Sequence, residues 1–263
     1  MNRLLLLALQ LGVALVGFAI WHVLTVYPIL GQPKQIQFFF STPLDVLARV
    51  AREVATPDLW RHIEITLRET VLAFVFGAAG GILFGFLFAR HRIVALVFDP
   101  YIKAANALPR VVLAPIFALW FGLGIWSKVA LGFTLVFFIV FFNVYQGVRE
   151  VSPTVLANAR MLGMSERGLL RHVYWPSALT WMFSSLHTSV GFALVGAVVG
   201  EYLGSSAGLG YKIHEAESVF DVTGVFAGML ILMVFVIAID ALVTVVERRL
   251  LVWRPGQGAG GAG

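Results

Sequence analysis

The chain has 263 residues, of which 59% are apolar and only 13% are charged. Soluble domains carry about 25% charged residues, so this composition argues against a water-soluble enzyme and for a membrane protein. The formal net charge of +5 comes from 19 Lys and Arg against 14 Asp and Glu. In a membrane protein such an excess lies mostly in cytoplasmic loops, so we expect no nucleic-acid partner. The lack of cysteine excludes disulfides, thiol nucleophiles and cysteine-based metal sites.

Six stretches without Asp, Glu, Lys or Arg approach or exceed the roughly 20 residues that a membrane-spanning helix needs. They predict an all-α polytopic membrane protein with six transmembrane helices, over residues 4–33, 71–89, 111–127, 129–148, 173–200 and 222–239. A cleaved signal peptide is the alternative for the first stretch. That stretch is about twice as long as the apolar region of a signal peptide and lacks a clear cleavage site.

Basic residues predict the orientation, because the cytoplasmic side retains Lys and Arg. With the amino terminus inside, 11 of the 19 Lys and Arg fall on the cytoplasmic side and 7 on the other, with Arg110 left out because it lies in or near a span. Both termini are therefore expected in the cytoplasm and residues 205–219 outside. Five of the seven outside charges lie in residues 34–68, part of which we expect to lie flat on the membrane surface.

A short amphipathic helix is predicted within this segment. Thr42 can cap it, Pro43 suits the first helical position, and Asp45 follows in the first turn. Its apolar residues share one face, as expected of an interfacial helix, at Leu44, Leu47, Ala51 and Val54. Residues 1–60 would then hold the first transmembrane helix and this interfacial segment, residues 61–254 a core of five transmembrane helices, and residues 255–263 a disordered Gly/Ala tail.

Two transmembrane stretches have features of their own. Gly77, Gly81 and Gly85 recur every fourth residue, which removes side chains from one helix face and predicts close approach of another backbone. Pro109 and Pro115 interrupt the hydrogen bonding of the third stretch and predict a bent helix there.

The loop 149–176 contains helix signals of its own. Ser152 and Pro153 start a short helix over residues 153–162, and Gly163 supplies the left-handed residue that ends it. Ser165 can cap a second helix, and Pro176 can open the fifth span. Two short helices with several arginines predict a protruding loop that docks to a soluble partner.

This loop resembles the signature of the permease subunits of ABC importers, which runs E-A-A, three residues, G, nine residues, I-x-L-P. Ala157, Asn158 and Ala159 stand at the first three positions, followed at every kept spacing by Gly163 and by Val173 to Pro176. Ala157 replaces the signature glutamate, so the chain lacks a charge that this family typically uses to position the loop. The resemblance covers residues 61–254, and residues 119–124 and 205–211 resemble the nitrate, sulfonate and taurine subgroup.

The resemblance implies a type I ABC importer permease fold in a bacterial inner membrane. It assigns ATPase coupling to the helix that precedes Gly163, through Ala157, Asn158, Ala159, Arg160, Gly163 and Pro176. It also implies a homodimer, two cytoplasmic ATPase subunits that hold ATP and Mg²⁺, and a periplasmic or lipid-anchored solute-binding protein. The chain has no G-x-x-x-x-G-K-[ST] sequence, so we expect no cofactor on this chain and no ATPase activity of its own. The solute would be small and anionic, such as a sulfonate, nitrate or an aromatic carboxylate.

Polar residues within spans are candidates for the solute pathway, because they are costly in lipid. Ser184 and His187 on the fifth span and Asn143 on the fourth are candidates for lining it, and Glu201 for an outer gate. Each has a structural alternative: a hydrogen bond between helices for Asn143 and His187, and hydrogen bonds from the glycine-rich turn for Glu201.

Two other functions remain as alternatives. A proton-coupled secondary transporter would use Glu201, His187 and Asp240 as a relay and would show inverted repeats, which the sequence lacks. An intramembrane enzyme would need a catalytic set such as paired aspartates within spans, and only Asp240 qualifies.

Overall fold

The computed structural model describes residues 3–29 and 31–250, without the side chains of a few of them, Ser184 and His187 included. Over these ranges the chain forms helices and no strand. In chain order they are α1 (Arg3–Val26), α2 (Pro33–Phe40), α3 (Pro43–Val54), α4 (Pro57–Arg90), α5 (Arg92–Ala107), a 3₁₀ turn (Arg110–Leu113), α6 (Ala114–Phe121), α7 (Ile125–Arg149), α8 (Pro153–Met161), α9 (Glu166–Leu169), a π turn (Leu170–Tyr174), α10 (Trp175–Gly204), α11 (Leu209–Ser218) and α12 (Val222–Leu250). The predicted tail, residues 255–263, lies outside the described residues.

Five described helices are long and apolar enough to cross a membrane, and a sixth span results if a bent pair is counted as one. The pair is α5 with the 3₁₀ turn and α6, which meet at 87°. The predicted bend is therefore confirmed, but the predicted helix over residues 111–127 is wrong in its bounds. Leu108 has extended backbone angles, as a residue before proline prefers, so the helix breaks at Pro109 and α6 ends at Phe121.

The chain divides into two compact units, one of Met1–Thr66 with Glu201–Val234 and one of Leu67–Gly200 with Phe235–Gly263. In the first unit, α1 contacts α2 and α3. The Trp21 indole donates to the Phe40 carbonyl at 3.3 Å. The sequence-based division at residue 60 remains a prediction.

The predicted amphipathic helix is α3, and its predicted cap is confirmed. Thr42 accepts a hydrogen bond from the Asp45 backbone amide at 3.2 Å. Val46 is buried, whereas Leu44 and Leu47 are 64% and 44% exposed. An exposed apolar face agrees with a helix that lies on lipid, and this placement stays a prediction.

The core of the second unit forms where α4 crosses α7. A Cβ added at Gly81 would lie 2.9 Å from the Phe137 carbonyl oxygen, and one at Gly85 would lie 2.8 Å from that of Phe141. The close backbone approach predicted from the glycine spacing is thereby confirmed. A second close contact, which the sequence did not indicate, joins α7 and α10: a Cβ at Gly196 would lie 2.8 Å from the Gly132 amide nitrogen.

Candidate functional site

The loop 149–176, which we call the coupling loop, begins with helix α8. Gly163 has a φ of +77°, and its amide donates to the Arg160 carbonyl at 3.0 Å while the Met164 amide donates to the Ala159 carbonyl at 3.1 Å. This is the Schellman pattern that closes a helix on a left-handed residue. The predicted stop at Gly163 is confirmed. Ser152 stands at the predicted start but makes no side-chain capping bond.

The second half of the coupling loop joins the fifth span without a break. Ser165 accepts a hydrogen bond from the Gly168 amide at 3.2 Å, as predicted. Helix α9 then passes through the π turn, in which the Trp175 amide donates to the Leu170 carbonyl. Pro176 is the second residue of α10 and lies just after the π turn. A displacement of the loop is therefore passed directly to α10.

The coupling loop has one buried and one exposed face. Ala159, Leu169 and Tyr174 are at most 8% exposed and belong to the same core cluster as the valines of α7. The opposite face exposes Met161 and Leu162 by 79% and 85%. Two adjacent apolar side chains exposed on a loop outside the spans form a small apolar surface that suits contact with a protein partner. Of the residues assigned to coupling, Ala157, Asn158 and Arg160 are exposed, whereas Ala159 anchors the loop in the core.

A carboxylate that the sequence did not single out ties the coupling loop to α4. Glu166 accepts from the Arg90 guanidinium at 2.8 Å and lies 3.4 Å from that of Arg160. The Arg90 guanidinium also lies 4.7 Å from the centre of the Tyr174 ring, a cation–π distance. The hydrogen bond from Arg90 lowers the pKa of Glu166, which keeps this carboxyl ionised. No local pattern reveals the pair, because Arg90 and Glu166 are 76 residues apart.

No described contact joins the predicted pathway residues to one another. Asn143 donates to the Ile139 carbonyl of its own helix at 2.8 Å, and the expected bond to another helix remains a prediction. Ser184 and His187 lie on α10, and their side chains are outside the described part of the chain. Their pathway roles remain predictions.

Glu201 is completely buried and lies in a cluster that we call the amide clamp. Its Oε2 accepts from the Gly210 amide at 2.7 Å, and its Oε1 accepts from the Thr66 hydroxyl at 2.6 Å. Thr66 in turn accepts from the Leu209 amide at 2.9 Å, and His62 Nδ1 accepts from the Gly208 amide at 2.8 Å. Three buried side chains thus bind the first three amides of one turn. These bonds agree with the structural alternative for Glu201, and its gating role remains a prediction.

The amide clamp holds α11 in place with help from ion pairs at its edge. Lys212 lies 3.0 Å from Asp58, and Arg49 lies 3.3 Å from Asp221. Since Nδ1 of His62 accepts a hydrogen bond, its proton is on Nε2, which lies 3.4 Å from Asp58. His62 and Thr66 were missed by sequence reasoning because their partners are more than 140 residues away. Within the described ranges no group of His, Asp and Glu is arranged to hold a metal ion.

Comparison with known proteins finds one matching family and several relatives of the chain. Residues 81–252 match the model of the binding-protein-dependent transport system inner membrane component. A putative aliphatic sulfonates transport permease of Bacillus subtilis is 32% identical over 81% of this chain and 77% of its own. A formylaminopyrimidine transport permease of Halalkalibacterium halodurans is 32% identical over 87% and 89%. The taurine transport permease of Escherichia coli is 24% identical over 93% and 89%.

The fold also matches a solved structure. A chain of the MetNI methionine ABC transporter in an inward-facing conformation superposes with a TM-score of 0.62 at 17% identity, over 73% of this chain and 95% of that one. At a sequence identity of 17%, this similarity shows a shared fold and nothing more.

Proposed function

This chain belongs to the family of binding-protein-dependent transport system inner membrane components and is an ABC importer permease; we propose that two copies of it carry a small anionic solute across the bacterial inner membrane. Two separate ATPase subunits would supply the energy, because the chain has no phosphate-binding G-x-x-x-x-G-K-[ST] sequence. A binding protein outside the membrane would deliver the solute. A proton-coupled secondary transporter is not favoured by this family.

The proposal rests on the coupling loop, which has one exposed face and one face buried in the core. Its exposed apolar face, with Met161 and Leu162, would bind the ATPase subunit, while Ala159 and Leu169 keep the loop fixed to the core of α4 and α7. A movement of the ATPase subunit would then displace α7 and α10 together. Interfaces packed in this way switch between discrete arrangements rather than deform gradually, which suits alternating access of a central cavity.

The anionic class of solute is supported by the relatives that are named for aliphatic sulfonates and for taurine. The experiment is uptake into proteoliposomes that contain the chain, its ATPase and its binding protein. We expect ATP-dependent uptake of a labelled alkanesulfonate or taurine, with competition by other organic anions. ATP-dependent uptake of neutral solutes alone would contradict the anionic class, and uptake driven only by a proton gradient would contradict the importer.

Replacing Gly163 by valine should abolish solute uptake that is coupled to ATP hydrolysis. Its φ of +77° costs a β-branched residue about 1–2 kcal/mol, so α8 would end differently and its exposed face would move. An added Cβ meets nothing within 4 Å, so the core should stay intact. Gly163→Asn is the matched control, because asparagine tolerates the left-handed region. Uptake and ATPase rates equal to the parent in Gly163→Val would exclude this role.

Replacing Glu166 by glutamine should reduce coupled uptake without changing the stability of the chain. Glu166 is exposed, and it restrains the loop through Arg90 and Arg160 rather than through the core. The control is Glu150→Gln, which removes a second exposed carboxylate whose side chain bonds Gln146 at 2.6 Å. Uptake per ATP hydrolysed and thermal melting are measured for both variants. Equal losses of uptake in the two variants would show that any charge change nearby has the same effect.

A further inference from the structure

A pocket of about 410 Å³ opens on one side of the second unit, where α4 and α7 end and α5 begins. Its walls come from Phe88 at the end of α4, from Arg92 and Leu96 in the first turns of α5, and from Tyr145 and Arg149 in the last turns of α7. The candidate spans of α4 and α7 end at Arg90 and Arg149. Because both spans end beside it, we place the pocket at the level of the lipid headgroups. Its walls contain neither Arg90 nor Glu166.

The charge of the pocket favours an anion. Arg92 and Arg149 are both exposed, and Arg149 donates to the Tyr145 hydroxyl at 2.6 Å, which leaves its other guanidinium donors available. The carboxylate in the wall is Asp99, which pairs with Lys103 at 2.7 Å. Glu150, next to Arg149, accepts from Gln146. With Asp99 offset by Lys103, the two arginines give the pocket a positive charge.

Exposed apolar side chains of α5 accompany the pocket: Leu96 is in its wall, and Ile93 and Val97 are the sequence neighbours of Arg92 and Leu96. Ile93, Leu96 and Val97 are 79%, 66% and 56% exposed, although they lie beside charged neighbours in the first turns of the helix. A free anion would make no favourable contact with these apolar side chains, whereas the acyl chain of a lipid would cover them. Basic pockets between transmembrane helices at the headgroup level bind anionic lipid headgroups.

We infer that this pocket binds an anionic phospholipid, with the phosphate between Arg92 and Arg149 and an acyl chain along Ile93 and Leu96. Arginine binds phosphate oxygens through paired N–H donors. The lipid would link the start of α5 to the end of α7, the helix that leads into the coupling loop. This inference concerns lipid binding alone and does not depend on the solute or on the ATPase.

The test measures binding of phosphatidylglycerol to the purified full-length chain in a neutral detergent, by native mass spectrometry and by thermal stabilisation. Phosphatidylcholine with the same acyl chains and inorganic phosphate are the comparison ligands. The double variant Arg92→Gln/Arg149→Gln should weaken phosphatidylglycerol binding about thirtyfold, because each basic residue contributes roughly fivefold near an anionic group. Arg92→Lys/Arg149→Lys should weaken binding less than the glutamine variant, because it keeps both charges but loses the paired N–H donors.

The matched control is Arg167→Gln/Arg171→Gln, which removes two exposed arginines from the coupling loop and should leave lipid binding unchanged. If Arg149→Gln disturbs folding through Tyr145, the single variant Arg92→Gln decides, with about a fivefold loss expected. Undiminished phosphatidylglycerol binding in the glutamine variants would overturn the inference. Equal stabilisation of the parent by inorganic phosphate would assign the pocket to a free anion, and equal stabilisation by phosphatidylcholine would show that charge is not recognised.

Discussion

Replacing Gly81 by leucine is expected to leave little folded protein and no transport. A Cβ at this position would lie 2.7 Å from the Val140 Cβ and 2.9 Å from the Phe137 carbonyl oxygen. Because one of these neighbours is backbone, α4 and α7 cannot give way by a rotamer change. Overpacking a core costs about 1–3 kcal/mol when side chains can adjust, and more is expected where helices must separate.

The control for this variant is Gly12→Leu, the same substitution in α1, where an added Cβ meets nothing within 4 Å. Yield of monodisperse protein and the melting temperature are measured for both, together with uptake. We expect Gly12→Leu to resemble the parent. A Gly81→Leu protein that melts and transports like Gly12→Leu would mean that α4 and α7 do not pack as described.

Replacing Gly208 by alanine is expected to disrupt the amide clamp and to stop transport. Its φ of +111° disfavours any side chain, and an added Cβ would fall on the carboxylate of Glu201. Glu201 would have to move away from the Gly210 amide and the Thr66 hydroxyl. Leaving a buried polar group without its hydrogen-bond partners costs about 1–3 kcal/mol, and more when the group is charged.

Gly122→Ala separates the effect of backbone strain from that of the collision with Glu201. Gly122 also has a positive φ, of +75°, but an added Cβ there meets nothing within 4 Å. Both variants carry backbone strain, and only Gly208→Ala carries the collision. We therefore expect its melting temperature to be far below that of Gly122→Ala. Similar melting temperatures would mean that Glu201 is not held as described.

Glu201→Gln then tests whether the charge of Glu201 acts in gating. Glutamine keeps the size and one acceptor oxygen but removes the charge. A variant that assembles normally and shows altered uptake would support the gating role proposed for Glu201. Unchanged uptake at all solute concentrations would leave Glu201 as a structural residue that orders the turn before α11.

Local signals of the sequence predicted local structure well. Thr42, Gly163 and Ser165 act within three or four residues of themselves, so the ends of α3, α8 and α9 follow from capping chemistry alone. The glycines of α4 likewise predicted a close backbone, because an absent side chain has the same effect whatever the partner.

Features that depend on distant residues escaped prediction. The prolines predicted the bend of the third span, but its bounds were misplaced because an apolar count excludes the charged helix α5 before Pro109 and continues past Phe121, where α6 ends. The contacts of Glu166 with Arg90, and of His62 and Thr66 with the turn at Gly208, join segments 76 to 146 residues apart. No spacing rule in one sequence connects such positions.

The π turn between α9 and α10 determines which face of the fifth span is directed towards the core. Across the turn, the buried residues Leu169 and Tyr174 are five residues apart. Beyond it, buried positions recur every fourth residue, first at Tyr174 and Ala178 and then at Ser185, Ser189 and Ala193. The extra residue rotates everything after it by about 100°. It thereby allows the loop and the span to face the same core. Deleting one residue from 170–174 would turn either the anchor at Leu169 or the small-residue face of α10 towards lipid.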